Sequence, residues 1–328
     1  MEVSANLSSQ IVMEWTKDIL GEDFEQCTVV FPSDYDGPVC ATVMRCRQPS
    51  GTSPEQGVLY VHGFSDYFFQ ADMARKFVQE GYAFYAVDLR RYGRSILQGQ
   101  IPFRVRDLRE YFPEIFAAIK MMIDDGVKRI VLMAHSTGGL ICSLLMKECP
   151  PPLVEALVLN SPFLAWNLPG WMRRFAIPVV SAIGQICPSL PMKQAADPLY
   201  AQSLHKKYDG EWDYNRRWKP DVLPPVDAGW IRAIDTAQRI LHKLPPVNLP
   251  VLLMHSDSSV GRKDSLVVHH SADAILDVKA ISEAGKSLGT DVSDVTIPGG
   301  IHDLALSRQD ARDLFFGTIF TWLASRNL

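Results

Sequence analysis

The sequence predicts an α/β fold in which a mostly parallel eight-stranded sheet carries helices on both faces. Short runs rich in β-branched and aromatic residues alternate with helical patterns through most of the 328 residues. This alternation is typical of parallel strands joined by crossover helices. One stretch, 161–229, is rich in proline and tryptophan and has no convincing strand pattern. An insertion of this size after a strand predicts a cap over the carboxyl edge of the sheet.

The predicted elements divide the chain into three segments. The first part of the core spans 1–160, the cap spans 161–229 and the second part of the core spans 230–328. Strands are predicted at 27–31, 39–46, 57–61, 83–87, 130–134, 156–159, 251–255 and 292–297. Helices are predicted at 70–79, 105–124, 138–148, 230–244, 278–288 and 311–324.

Composition limits the class of protein. Hydrophobic residues make up 47% and charged residues 21%, which is enough for a sizeable core. A net charge of -4 without basic clusters excludes nucleic acid as an expected partner. A secretory signal and a long apolar run are both missing from the sequence, so we expect a cytoplasmic location. The six cysteines form no CxxC pair, so neither a zinc site nor a disulfide framework is expected.

Ser136 is the candidate nucleophile. The predicted strand 130–134 leads directly into His-Ser-Thr-Gly-Gly at 135–139 and then into an apolar helix. A reactive serine on such a sharp turn needs small neighbours two residues away on each side, and these are Ala134 and Gly138. Alanine replaces the commoner glycine at the first of these positions. Alone, so short a motif also occurs at ordinary strand–turn–helix junctions.

A second motif, His62-Gly63-Phe64, follows the predicted strand 57–61. In an elbow of this kind, an oxyanion hole takes one backbone N–H from this turn and another from the residue after the nucleophile. The predicted donors are therefore Phe64 and Thr137. The side chain of His62 is expected to brace the loop by hydrogen bonding.

The candidate general base is His302. It lies in the glycine-rich run 299–303 after the last predicted strand, where a flexible loop lets an imidazole reach a serine hydroxyl. Two carboxylates are candidates for the orienting acid. Asp257 follows the strand 251–255 almost directly, and Asp273 precedes the helix 278–288. From position alone, either could point at His302.

Together these motifs resemble a family. The His-Gly turn, the run 88–95 (Asp-Leu-Arg-Arg-Tyr-Gly-Arg-Ser), the serine elbow and the closing Gly-Gly-Ile-His are similar to the monoglyceride lipase, lysophospholipase and serine aminopeptidase (S33) branch of α/β-hydrolases. The resemblance covers nearly the whole chain outside the cap and implies the α/β-hydrolase fold.

The resemblance also bears on the acid. In that branch a Ser-Ala-Asp-like turn about thirty residues before the histidine carries it, and Asp273 stands 29 residues before His302. The resemblance therefore favours Asp273, although 260–270 is an insertion relative to the pattern. Asp277 is expected to cap the following helix, and the run 88–95 is expected to be structural.

The order serine, acid, histidine along the chain differs from that of chymotrypsin-like and subtilisin-like proteases. We therefore predict a serine hydrolase that needs no cofactor and cleaves carboxylic esters with an apolar acyl group. Most of the apolar run 171–183, which includes two arginines, is expected to pack the cap onto the core, and a few of its residues are expected to line the acyl pocket or to touch a membrane or micelle. The alternatives are an amide or peptide hydrolase, an acyltransferase with the same triad, and a non-catalytic receptor that binds a ligand.

Overall fold

The computed structural model describes residues 14–192, 198–261 and 264–328. Within these residues one sheet contains nine strands. The strands are β1 Thr16–Lys17, β2 Phe24–Asp34, β3 Gly37–Cys46, β4 Gln56–Val61, β5 Ala83–Asp88, β6 Arg129–His135, β7 Val154–Asn160, β8 Val247–Ser256 and β9 Gly289–Ile297.

The sheet is mostly parallel, as predicted. Its strand order is β1-β2-β3-β5-β4-β6-β7-β8-β9, with antiparallel pairs from β1 to β5 and parallel pairs from β5 through β4 to β9. All eight predicted strands are present. The ninth, β1, was not predicted because its two residues are exposed and too short to show a periodic pattern.

The described helices follow the predicted βα alternation. They are α1 Ala71–Gln79, α2 Phe112–Asp124, α3 Thr137–Glu148, α4 Ile177–Ile186, α5 Leu199–Leu204, α6 Ala228–Leu241, α7 Leu266–His269, α8 Val278–Gly285 and α9 Gln309–Ser325. The predicted helix 105–124 is divided into a 3-10 turn, Leu108–Tyr111, and α2. The division falls where Pro113, which has no N–H, enters the first turn of α2.

Helices cover both faces of the sheet, and each face has its own apolar core. On one face α1 and α9 bury Phe77 and Phe315 against Phe84 and Met133 of the strands. On the other face α2, α3 and α6 pack over alternate residues of the same strands, such as Leu132. The central strands are therefore buried on both sides, which explains their continuous apolar runs.

The run 88–95 is a structural corner, as expected. Gly93 has a φ of +47°, and a Cβ there would lie 2.3 Å from Asp88 Oδ2. The guanidinium of Arg94 is buried and bridges Asp18 (2.6 Å) and Asp88 (2.9 Å). These ion pairs join the corner to the chain before β2 and leave the run outside the candidate site.

Between β7 and α6 the chain leaves the alternating pattern. This stretch holds a π-helical turn, Met172–Ala176, followed by α4 and α5, and in its described residues strand pairing is limited to isolated bridges. Helix α4 packs on α6, and a Cβ at Gly184 would lie 2.2 Å from the Ala228 carbonyl oxygen.

The helices found in the described part of the chain are too short or too polar to cross a bilayer.

Candidate active site

Ser136 lies on the turn between β6 and α3, in a backbone conformation that few residues adopt. Its φ is 51° and its ψ is -117°. The Ser136 N–H donates to the Asn160 carbonyl oxygen at 3.0 Å, and the Ser136 carbonyl accepts from the Phe163 N–H at 2.9 Å. Bonds on both sides of the residue thus hold the strained turn against the end of β7.

The small residue after the turn is required by contact. A Cβ at Gly138 would lie 2.4 Å from the His62 carbonyl oxygen and 2.6 Å from that of Val61. Helix α3 therefore begins in direct contact with the carboxyl end of β4. This contact is the physical reason for the small residue that the elbow motif demands.

His302 joins the serine to a carboxylate. Its Nε2 is 3.0 Å from Ser136 Oγ, and its Nδ1 is 3.0 Å from Asp273 Oδ2. An ionised carboxylate can only accept, so Nδ1 carries the proton and Nε2 is free to accept from the serine hydroxyl. All three side chains are buried; Ser136, the most accessible, is 7% exposed.

Of the two candidate acids, the structure brings Asp273 to His302. The Asp273 N–H and carbonyl pair with the Ser258 carbonyl and the Val260 N–H, which hold the turn against the end of β8 despite the intervening residues 260–270. Its Oδ1 accepts from the Ile275 and Leu276 N–H groups, each at 2.8 Å. The second oxygen is left for His302.

Asp257 lies elsewhere. It is exposed, and its Oδ1 accepts from the Gly299 N–H at 3.1 Å, so it stabilises the base of the histidine loop. Asp277 caps α8 by accepting from the Lys279 N–H, as expected.

The turn after β4 contacts the serine. A Cβ at Gly63 would lie 3.0 Å from Ser136 Cβ, so the backbone before Phe64 passes directly beside the nucleophile. Thr137 is the first residue of α3, where an N–H has no partner within its own helix. His62 braces the loop as expected, because its Nε2 accepts from the Leu89 N–H and its Nδ1 donates to the Gly63 carbonyl.

A buried polar network behind the serine was missed by sequence reasoning. The ring of His135 lies 4.8 Å from that of His302, centroid to centroid, and its Nδ1 donates to the Asn160 carbonyl. Burial lowers the pKa of His135, so its imidazole is neutral. Asp303 accepts from the side-chain amides of Asn160 (2.7 Å) and Gln70 (3.1 Å). The sequence offered one signal for this network. A polar residue stands directly beside each site residue, His135 before Ser136 and Asp303 after His302.

Among the described residues, one group of side chains could hold a metal ion. It consists of Asp66, His135 and Asp303, whose ligand atoms lie within 4.8 Å of one another. Three of the four carboxylate oxygens in this group are already engaged. The Lys219 ammonium lies 2.9 Å from Asp66 Oδ1, and both Asp303 oxygens accept amide hydrogens. The protein itself therefore supplies a positive charge to this group, through Lys219 beside Asp66.

Aromatic rings lie against Phe64 on the turn after β4. The ring of Phe64 lies 4.8 Å from that of Trp230 and 5.4 Å from that of Phe103. Trp166, in the inserted stretch, contacts Trp230 at 6.1 Å and Phe163 at 5.1 Å. The surroundings of the serine on this side are apolar.

We predict that replacing Gly138 with alanine destabilises the protein, since the added methyl would overlap two backbone carbonyls of the β4 end. The expected loss in the free energy of unfolding is about 1–3 kcal/mol, measured by urea denaturation. The matched control is Gly317→Ala in α9, where a Cβ meets nothing within 4 Å, and it should gain up to about 1 kcal/mol. Equal effects of the two substitutions would contradict the close contact.

Comparisons with known proteins agree with this architecture. The family described as serine aminopeptidase, S33, matches residues 52–309. The monoacylglycerol lipase of Paleococcus ferrophilus is 20% identical, with a TM-score of 0.61, over 84% of this chain and 96% of that one. A soluble variant of the Saccharomyces cerevisiae monoglyceride lipase, solved with a substrate analogue, is 15% identical, with a TM-score of 0.63, over 98% of both chains.

A thermostable carboxyl esterase from Bacillus coagulans, solved with glycerol, is 16% identical with a TM-score of 0.63, over 93% of this chain and 99% of that one. No curated protein matches the sequence significantly. At such low identities the solved structures establish only the fold. The family match establishes the family, because it covers most of the chain. The chain belongs to the S33 serine aminopeptidase family of hydrolases and has the α/β-hydrolase fold.

Proposed function

We propose that the protein is a serine hydrolase that cleaves carboxylic esters with an apolar acyl group. The observation that carries the proposal is the continuous chain of hydrogen bonds from Ser136 through His302 to Asp273. It joins a hydroxyl on a strained turn to a base whose tautomer is fixed by a buried carboxylate.

The reaction would proceed through an acyl-enzyme. Ser136 Oγ attacks the ester carbonyl carbon while its proton passes to His302 Nε2, and Asp273 stabilises the imidazolium. The tetrahedral intermediate collapses, and Nε2 returns the proton to the leaving alkoxide. Water then attacks the acyl-enzyme by the same route and releases the acid. No step needs a group beyond the chain and water.

The N–H groups of Phe64 and Thr137 would stabilise the oxyanion. In support, the turn that carries Phe64 lies against Ser136, and Thr137 opens α3, where the helix dipole favours negative charge. The apolar acyl group would lie among the aromatic rings near Phe64, Trp166 and Trp230.

Residues 161–229 would form a cap over this site, between core segments 1–160 and 230–328. The packing of α4 on α6 and the ring contacts of Trp166 support this division. Because Ser136 is almost inaccessible, substrate can enter only when the side chains covering it move.

The cap would also dock on a lipid surface. Trp171 and Phe175 are more than 60% exposed and Ile186 is 84% exposed; they lie just before the π-helical turn, within it and at the end of α4. Arg173 and Arg174 lie among them, and neither forms an ion pair with a described residue. An exposed apolar helix face with flanking cations fits the interface of an anionic membrane.

We expect a fluorophosphonate probe to label the wild type and to leave Ser136→Ala unlabelled. Turnover of p-nitrophenyl esters should fall at least about 10⁴-fold in the same variant. Measuring kcat/KM for p-nitrophenyl esters from acetate to palmitate would show how long an acyl chain the pocket accepts. We expect the highest kcat/KM for a chain longer than acetate. A folded wild type that neither labels nor hydrolyses any of these esters contradicts the proposal.

The two carboxylates provide a matched pair. Asp273→Asn should lower kcat/KM about 10³- to 10⁴-fold because the amide cannot hold His302 in the required tautomer. Asp257→Asn should stay within about twofold of wild type, because the position is exposed and the amide oxygen can still accept from the Gly299 N–H. Both are measured with one activated ester after circular dichroism has verified folding. Equal losses, or a larger loss in Asp257→Asn, would overturn the assignment of the acid.

Vesicle sedimentation tests the lipid-facing surface. Replacing both Trp171 and Phe175 with serine should reduce partitioning onto phosphatidylglycerol-containing vesicles at least about tenfold. Val267→Ser is the control, because Val267 is 72% exposed but lies outside the cap. Wild type that stays in the supernatant, or equal partitioning of all three proteins, counts against lipid docking.

A further inference from the structure

Lys219, in the inserted stretch 161–229, places its ammonium in the polar network behind the triad. The Lys219 ammonium lies 2.9 Å from Asp66 Oδ1, and the two side chains are 11% and 2% exposed. The ammonium also lies over the rings of Phe69 and Tyr214, at 5.8 and 5.9 Å from their centroids. A pair so well excluded from water is costly to break from either side.

The segment around Lys219 also holds the loop that follows the oxyanion turn. The Asn215 N–H donates to the Tyr67 hydroxyl at 2.7 Å, and the ring of Trp218 meets that of Tyr67 edge-on at 5.1 Å. Asp66 and Tyr67 stand two and three residues after Phe64, the proposed oxyanion donor. The turn 214–219 is thus fastened to the same loop that contacts the nucleophile.

Asp66 lies next to the active-site histidines. A ligand-type atom of Asp66 lies within 4.8 Å of one on His135, whose ring contacts His302. The second oxygen, Asp66 Oδ2, is buried and has no hydrogen-bond partner among the described residues. Burial by itself would raise the pKa of Asp66, but the charge of Lys219 offsets it and the pKa is lowered. An ionised carboxylate therefore stands beside His135, whose ring contacts that of the proposed general base His302, and it is balanced by a cation from residues 161–229.

We propose that Lys219 is a positioning residue of the active site, which balances the charge of Asp66 beside the catalytic histidine and fastens the oxyanion turn to the inserted stretch. This inference rests on the proposed function. The inserted stretch would then contribute to the electrostatics of the active site as well as cover it.

The sign of each single change follows from the polar groups in and beyond the surroundings of His302. Asp273 is bonded to His302, and the rings of His135 and Tyr200 contact it. Asp303, Asp66 and Lys219 lie next, grouped with His135. Removing the ammonium leaves the Asp66 carboxylate unbalanced, and as long as the carboxylate is ionised its negative charge stabilises positive charge on the neighbouring imidazoles. Removing the carboxylate leaves the ammonium unbalanced, which disfavours protonation. Removing both restores a neutral pair.

The test measures the second-order rate constant for fluorophosphonate labelling of Ser136 across a pH range wide enough to include the acid limb of the profile. Lys219→Met should move the acid limb of this profile to higher pH by about one unit, and Asp66→Asn should move it to lower pH by a similar amount. The double variant should return the limb to its wild-type position. Lys219→Arg, which keeps the charge, should leave it in place.

Lys206→Met is the control, since it removes an exposed cation of the same stretch that pairs with Asp213. It should leave the profile unchanged. If the single variants lose stability while their acid limbs coincide with that of wild type, the pair is purely structural and the proposal is wrong. Limb shifts in the same direction for both single variants would also overturn it. Failure of the proposed function would show differently, because wild type itself would then not label.

Discussion

The backbone conformation of Ser136 is the constraint on which the rest of the site depends. A φ of 51° is unfavourable for serine, and it persists because β6 and α3 are fixed on either side. The strand end is held by the carbonyl of Asn160 on β7, and the helix start lies in van der Waals contact with the β4 end at Gly138. The strain is thus maintained by the packing of three parallel strands, and it points the hydroxyl out of the sheet toward His302.

The parallel sheet also explains why residues far apart in sequence meet. Strands β4, β6, β7, β8 and β9 end at one edge, so the loops that follow them converge there. The turns that carry Phe64, Ser136 and Asp273 and the loop that carries His302 each follow a different one of these strands. Each loop is anchored by its own bonds, such as Asp257 to the Gly299 N–H, and the triad geometry is the sum of these anchors.

How much of this could be read from the sequence varies with the range of the interaction. The buried strands and the elbow are local patterns, and they predicted the mostly parallel sheet. The choice between Asp273 and Asp257 could not be made from the residues alone, because it depends on the bridge between Ser259 and Asp273 across the insertion 260–270. The Lys219–Asp66 pair spans 153 residues and has no local signature. Strand β1 was missed for lack of a pattern.

The Lys219–Asp66 ion pair brings the turn 214–219 into contact with the loop that follows β4. Surface segments in general tolerate changes of length and sequence better than the strands that they cover. The Lys219 ammonium cannot be removed so freely, since Asp66 is buried and has no other cation against it among the described residues. Residues 161–229 and the polar network behind Ser136 are therefore coupled through this ion pair, and a change in the turn 214–219 reaches the surroundings of His135.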